Sequence, residues 1–478
     1  MVAIRDRWSG NDPIGWSQKG LFATLGNVNF ASAFLALSSI AWMGVLLFNN
    51  FKSTSLLITL LLGTEFLVLM KMDSIQGPVM FIVGLFFLSF LKLRKNFKSR
   101  LFFVLSIMLT VTLSVFGFFG VLGLGPLKKF VFQNSNVFRA DYMGAALKMI
   151  ENKPLFGVGL DSYDNWYRTF RGFISAYRTG INRSSNSAHN IILDIGASGG
   201  IPLLLGYLLI LGLSFLSFIK LIKQYRQLDS NLLVIAVAWL AYQIQSLISI
   251  NQIGVGIWGW LLNGALIACS FTVQSDVGRS SASNQKIKNR VKTQQTSLPP
   301  NSLLVGIFVG ILGFGLALPP ISADAQFRKA MTSSDLGFLL KSDNKLGLSD
   351  FHVEKALEVI TNRGMKSESM LLANRIVEKY PRSLFAWQVL YQNSQNASEK
   401  QKAFSEIQSI DPWFACLKPE PSRTIQGWFE SLPDPKKIEL ARWWGLLPMT
   451  PHSTPDKALL ASISSEALNK WFVSVCGR

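Results

Sequence analysis

The chain has 478 residues, 49% of them hydrophobic and only 16% charged, with a formal net charge of +19. Soluble domains carry ~25% charged residues, so this balance, with 35 Phe and a mean hydropathy of +0.30, excludes an ordinary soluble protein. Three Cys exclude a disulfide-dense secreted scaffold, and three scattered His (His189, His352 and His452) weigh against a multi-His metal centre.

Charge divides the chain. Residues 1–320 hold 27 Lys and Arg against 11 Asp and Glu, whereas 321–478 hold 20 against 17. A single core rarely grows past ~250–300 residues, so the sequence reads as a basic membrane part joined to a nearly neutral soluble part.

Residues 1–26 form a polar N-terminal segment with no cleavable signal peptide. Apolar stretches near the ~17–25 residues that cross a bilayer as a helix follow at Asn27–Phe48, Ser55–Met70, Ile75–Leu91 and Leu101–Leu124, then Ile201–Ile219, Leu232–Ile250, Ile253–Val273 and Leu303–Leu318. The count is eight, or seven given that the stretches ending at Met70 and Leu318 are short. Lys92, Arg94, Lys95, Lys98 and Arg100 crowd one short loop; Lys220, Lys223 and Arg226 mark a second, and Arg279, Lys286, Lys288, Arg290 and Lys292 a third. Lys and Arg accumulate in cytoplasmic loops, which puts all three inside. The expected plan is therefore 1–26 outside, spans one to four in 27–124, a large outer loop in 125–200 and spans five to seven in 201–273. A flexible cytoplasmic linker in 274–300, an eighth span in 301–320 and an outer helical domain in 321–478 complete it. Glu65 interrupts an apolar segment, where it either lines a polar cavity or sits neutral among helices. Gln243, Gln245, Asn251 and Gln252 predict hydrogen bonds between helices.

The outer loop is too aromatic for a disordered segment, with Tyr142, Phe156, Tyr163, Trp166, Tyr167, Phe170, Phe173 and Tyr177. Helical spacing over Ala140–Ile150 puts Tyr142, Ala145, Ala146, Met149 and Ile150 on one face, and Pro154 ends that helix. Nine basic residues (Lys128, Lys129, Arg139, Lys148, Lys153, Arg168, Arg171, Arg178 and Arg183) face four acids (Asp141, Glu151, Asp161 and Asp164). That excess predicts an anionic partner, and Arg suits bidentate phosphate contacts. Nucleic acid is not expected at an outward loop; a lipid-linked phosphate or an anionic sugar fits the location, against the simpler reading of a basic face near anionic headgroups. His189 lies in Ser187-Ala188-His189-Asn190 just before an apolar run, with Asn190 a candidate helix N-cap. An imidazole with an ordinary pKa near ~6.5 is able to take a proton at neutral pH, so His189 is the candidate general base.

The tail is helical in pattern. One helical stretch ends at Tyr380-Pro381 and another at Asp411-Pro412, 31 residues on, near the ~34 of a tetratricopeptide repeat. Such helix pairs serve partner binding or simply packing. Cys416 and Cys476 both fall outside and are free to pair or to remain thiols; Cys269 lies in a span.

These residues resemble the O-antigen ligase and polymerase superfamily, bacterial inner-membrane enzymes that use undecaprenyl-diphosphate-linked glycans. The matching stretch is Arg139, the helix through Met149-Ile150, Pro154-Leu155-Phe156-Gly157-Val158-Gly159, then Ala188-His189-Asn190, Leu193 and Gly199-Gly200 entering a span. A second is Lys19-Gly20 with Gly26-Asn27-Val28-Asn29-Phe30-Ala31 opening the first span. The resemblance covers about residues 19–270. It implies an all-α, class C glycosyltransferase-like bundle of about eight spans, with its active site facing the periplasm, carrying a C-terminal extracytoplasmic α-helical domain of degenerate tetratricopeptide-like type. It also implies an inverting transfer from the lipid-linked donor to a sugar, lipid-core or protein acceptor, with no metal, sugar nucleotide or other cofactor. On that carry-over His189 is the base that deprotonates the acceptor hydroxyl and Arg139 engages the diphosphate. Lys19, Arg168, Arg171, Arg178, Arg183 and Asn190 are further substrate-binding candidates, and 321–478 is a surface for a protein partner. Ser198 stands where members usually carry Glu, with Asp194 one turn earlier, and Lys19 where Arg is common. Members also have several spans before this motif, so the expectation extends to a fragment, a split protein or an inactive relative. Two other readings remain, a polysaccharide or lipid transporter and a non-catalytic assembly scaffold.

Overall fold

A chain crossing a bilayer must satisfy every backbone N–H and C=O within its own segment, which makes long apolar runs helical. The computed structural model describes residues 25–48, 52–72, 74–96, 134–172, 184–224, 230–280 and 300–413, with isolated positions between and short pieces after 427. All elements among the described residues are helical. In chain order they are α1 (Val28–Phe48), α2 (Lys52–Lys71), α3 (Gln76–Asn96), α4 (Asn134–Asn152), α5 (Tyr163–Phe170), α6 (Ile191–Lys223), α7 (Ser230–Ser246) and α8 (Ile253–Ser280). There follow α9 (Pro300–Ser333), α10 (Leu336–Leu339), a 3-10 turn at Ser342–Asn344, α11 (Asp350–Asn362), α12 (Lys366–Lys379), α13 (Leu384–Asn393), α14 (Ala397–Ile410) and α15 (Asp434–Trp443).

Six of these helices are long and apolar enough to cross a membrane: Val28–Phe48, Thr54–Lys71, Gln76–Leu93, Ile191–Lys223, Ile253–Ser270 and Leu304–Ser333. The protein is thus a multi-pass membrane protein by length and composition. The expected span Leu101–Leu124 lies outside the described residues, as do Cys416 and Cys476. The expected Leu232–Ile250 is the 17-residue α7, whose polar end at Ser246 passes into a turn. The span expected from Ile201 starts there, just past a kink at Gly200 that separates it from a short helix beginning at Ile191, whereas the one expected to stop at Leu318 runs through Pro319 and Pro320 to Ser333. Residues 304–322 of α9 are exposed throughout, as a lipid-facing helix allows.

The chain divides into two compact units. The first holds 1–133, 189–195 and 202–335; the second holds 134–188, 196–201 and 336–478. In the first, small residues set the packing because lipid gives apolar side chains no reason to leave it, and close approach must supply the gain. Ala33, Ala36, Ser32 and Ser39 bury the inner face of α1. On α3, a Cβ added at Gly77 would lie 2.6 Å from Ser32 O, and one at Gly84 would lie 2.3 Å from Ile40 Cγ1. Polar groups inside this unit bond between helices. Glu65 on α2 accepts from Ser38 Oγ at 3.1 Å and Ser39 Oγ at 2.6 Å, so it sits among helices and bonds to α1. Gln245 on α7 donates to Gln76 Oε1 on α3 at 3.1 Å, and Trp239 Nε1 donates to Asn263 Oδ1 on α8 at 2.7 Å.

The second unit combines the outer loop with the tail. Its tail helices bury stripes at helical spacing: Val353, Ala356, Leu357 and Ile360 on α11, Leu372, Ala373 and Ile376 on α12, and Ala403, Ile407 and Ile410 on α14. Helices α12 and α14 end alike, with the N–H of Tyr380 bonding Ile376 O and that of Asp411 bonding Ile407 O, each just before a Pro.

Replacing Gly84 with Leu forces α1 and α3 apart. The expected cost is the ~1–3 kcal/mol of an overpacked core, read as a lowered unfolding midpoint of the detergent-solubilised protein, whereas Gly63→Leu, where an added Cβ meets nothing within 4 Å, leaves the midpoint unchanged.

Candidate functional site

Four glycines and a proline shape the end of the outer loop. After α4 the chain turns at Pro154, and the backbone of 154–159 lies against the backbone of 197–201 within the second unit. Val158 N donates to Ala197 O at 2.8 Å, Gly159 N to Ser198 O at 3.0 Å, and Ile201 N to Pro154 O at 2.7 Å. Contact this close leaves no room for side chains. A Cβ at Gly157 would fall 2.4 Å from Ala197 O, and one at Gly200 2.6 Å from Leu155 O. Gly157 (φ +64°) and Gly200 (φ +73°) also occupy the left-handed region that only glycine enters without strain. At Gly200 the helix α6 kinks, so Ile191–Gly199 is a short helix of its own ahead of the long span. The Pro-Leu-Phe-Gly-Val-Gly run and Gly199-Gly200 are therefore one backbone-to-backbone clamp.

His189 precedes that short helix. Its φ is +54°, a conformation uncommon outside glycine but several-fold enriched for His, and the residue is half-buried. Asn190 is the N-cap, as the sequence reading anticipates: Oδ1 accepts from Leu193 N at 3.1 Å, while Nδ2 donates to Leu247 O at 3.1 Å at the end of α7. Both ends of the Asn190 amide hold the backbone next to His189. Asp194 lies in the first turn of α6, where the helix dipole favours an acid.

Arg139 is half-buried on α4 in the second unit, and burial lowers its pKa below the ordinary value while Tyr142 works against that shift. It stays a cation. The face of α4 expected from spacing is buried at Ala145, Ala146 and Met149. Against it stand Tyr163, which donates to Tyr142 O at 2.6 Å, and Tyr167, whose ring meets Tyr142 edge-on at 5.5 Å. Burial pushes the Tyr167 hydroxyl up to about 12.

Arg168 and Arg171 converge on a single acid. Arg171 has no side-chain exposure, and its Nη2 lies 2.6 Å from Asp411 Oδ2; Arg168 Nη1 lies 3.3 Å from the same oxygen. Burial and the like charge of Arg171 lower the Arg168 pKa, and Asp411 opposes this. Thr169 Oγ1 donates to Ile410 O at 2.8 Å and Trp413 Nε1 to Arg171 O at 3.0 Å, closing the cluster. Part of the loop's basic excess is thus matched by the tail of the same chain, a partner some 240 positions away in sequence. Asp411 escaped the sequence reading because an Asp before a Pro looks like a helix ending, which it also is. Asp350 and Glu354 on α11 stand near α5, burial raises the Glu354 pKa, and Asn165 Nδ2 donates to Asp350 Oδ2 at 3.1 Å.

Lys19, Arg178 and Arg183 lie outside the described residues. Among the described residues, no group of three or more His, Cys, Asp or Glu is spaced to hold a metal ion. The family model described as O-Antigen ligase matches residues 58–208, which include Arg139, the 154–159 turn, His189 and Asn190 and support the O-antigen ligase and polymerase superfamily. No curated protein and no solved structure matches the chain.

Replacing Asp411 with Asn leaves the Arg171 charge buried without its acid. Removing one member of such a pair costs ~3–5 kcal/mol, expected as a large rise in protease cleavage of the second unit in membranes, which the paired Arg171→Met, Asp411→Leu variant reverses in part. The acids beside α5 predict a pH effect. Packing around the surface residue Asp164, then the charge of Asp350, raise its carboxyl to about 6. A raised carboxyl pKa favours the folded state most at low pH, and that contribution fades as pH climbs from ~4 through 6. Asp164→Asn is expected to flatten this decline and to raise the thermal midpoint at pH 7.5.

Proposed function

With the O-antigen ligase match over residues 58–208 as premise, we propose that the protein transfers a glycan from a polyprenyl diphosphate to an acceptor hydroxyl at the periplasmic face of a bacterial inner membrane. His189 removes the hydroxyl proton as the acceptor oxygen forms its bond to the anomeric carbon. The bond from that carbon to the diphosphate breaks with its electrons going to the leaving group, and the configuration inverts. Arg139, a half-buried cation, takes the developing negative charge, as fixed donors do without reorganising. Asn190 is a positioning residue, because its amide is used by the backbone that sets the His189 torsion. Arg168 and Arg171 act through Asp411 on the shape of the loop, which leaves Lys19, Arg178 and Arg183 as the remaining cations for the lipid phosphate. The tail 321–478, as a helix-pair surface, meets the acceptor or a protein partner.

One observation carries the reading. The lone His of the membrane half is held in a left-handed backbone conformation at the head of a capped short helix inside the matched region. Strained residues of this kind cluster at functional sites.

General acid–base catalysis contributes ~10²–10⁴-fold. His189→Ala is therefore expected to reduce surface polysaccharide assembly by at least a hundredfold while the protein accumulates normally in the membrane; normal polymer in that strain overturns the assignment and leaves a scaffold. Arg139→Ala is expected to be more damaging than Arg139→Lys, which keeps the charge and loses the fork. In a deletion strain, shortened chains identify a polymerase, and full-length chains left on the carrier identify a ligase.

A further inference from the structure

The second unit contains a cavity of about 160 Å³ lined by Ser162, Asn165 and Trp166 of the loop and by Asp350, Lys379, Tyr380, Pro381, Arg382 and Ser383 of the tail. That is over ten times the ~10–15 Å³ that admits one water, and below the ~300 Å³ at which drug-sized pockets begin. Space of this size takes a single six-membered ring with its substituents.

The walls are held before any ligand arrives. Arg382 lies over the Trp166 ring with Cζ 3.6 Å from its centroid, and Lys153 Nζ lies 4.4 Å from the same centroid. Arg382 Nε donates to Asn165 O at 2.9 Å, and its Nη2 donates to Thr169 Oγ1. Ser383 caps α13 and donates to Glu354. Arg382 is thereby committed to the wall, its charge stacked on Trp166 and bonded to neutral oxygens, and Lys379 and Asp350 of opposite sign stand in the same lining.

The polar groups are mixed in kind. Asp350 offers two oxygens with ~four acceptor positions, of which Phe351 N at 2.9 Å and Asn165 Nδ2 take two. Lys379 has three donors and spends one on Asp343 O at 2.8 Å. The Tyr380 hydroxyl and the Asn165 amide both donate and accept, while the Ser162 hydroxyl gives its proton to Leu160 O at 3.3 Å and keeps acceptor positions. A phosphate requires donors and is repelled by Asp350. A ring bearing several neighbouring hydroxyls requires donors and acceptors side by side, which Lys379 and Asp350 supply.

We infer that this cavity, formed by the outer loop and the tail together, is a binding subsite for one neutral pyranose ring of a glycan chain. The inference rests on the transferase reading only for the origin of the glycan; the subsite itself is a binding property. It gives the tail a function in substrate selection, since Asp350, Lys379 and Tyr380 all belong to it.

The test uses the full chain in lipid nanodiscs and saturation-transfer NMR with methyl pyranosides of glucose, galactose, mannose, rhamnose and N-acetylglucosamine. At least one is expected to bind at millimolar concentration, at least tenfold more weakly to Ser162→Leu, which fills the space, and several-fold more weakly to Lys379→Met, an exposed position that folding tolerates. His189→Ala is expected to bind as the unaltered protein does. Competition with free oligosaccharide and with carrier-linked glycan then distinguishes an acceptor ring from a donor ring. If no glycoside binds, or if Ser162→Leu leaves affinity unchanged, the subsite is wrong even where His189-dependent transfer persists. Binding that is lost in Ser162→Leu, alongside polymer assembly that ignores His189→Ala, keeps the subsite and removes the transferase reading.

Discussion

An arginine with no exposed side-chain surface is costly to bury, by several kcal/mol even after relaxation, unless a counter-ion is buried with it. Arg171 is in that position, and its counter-ion is Asp411, at the end of a tail helix. Arg168, Thr169 and Trp413 bond around the same point, so helix α5 and the end of α14 are parts of one structure. The loop-closure entropy over the intervening chain grows only logarithmically with length, which makes such a distant tie affordable. The loop that carries Arg139 and the aromatic cluster thereby depends on the tail for its shape, and the cavity beside Trp166 follows from the same docking.

A second constraint is backbone contact. Gly157 and Gly200 let two turns of main chain meet with no side chain between them, and the hydrogen bonds from Val158, Gly159 and Ile201 lock them. In the first unit the Asn190 cap fixes the backbone next to His189, whose φ is +54°. Small residues bring α1 and α3 together, and Glu65, Gln245 and Trp239 find hydrogen-bond partners on neighbouring helices.

Much of this was legible in advance. Apolar runs identified the helices of the first unit, the amphipathic face of α4 was correct to the residue at Ala145, Ala146 and Met149, and Asn190 was recognised as a cap. Boundaries were less so. The span expected from Ile201 does start there, past the kink at Gly200, but the end of the last span was misjudged. Pro319-Pro320 reads as a stop, yet a helix tolerates prolines where the freed carbonyls find other partners, and α9 continues to Ser333. The basic excess of the loop was visible and its meaning was divided, since two of the nine cations answer to an acid far along the chain.

The sequence by itself determined that this is a multi-pass membrane protein, helical throughout its described residues, and where its lone membrane-half imidazole and its glycine turns fall. Those properties are local: hydropathy, cap chemistry and glycine's freedom of φ act over a few residues. Only the tertiary structure decided that Arg171 meets Asp411, that Arg382 covers Trp166, and that loop and tail line an open cavity together. Pairing across more than two hundred residues is chosen by burial and complementary charge in three dimensions, and neither quantity is written in the spacing along the chain.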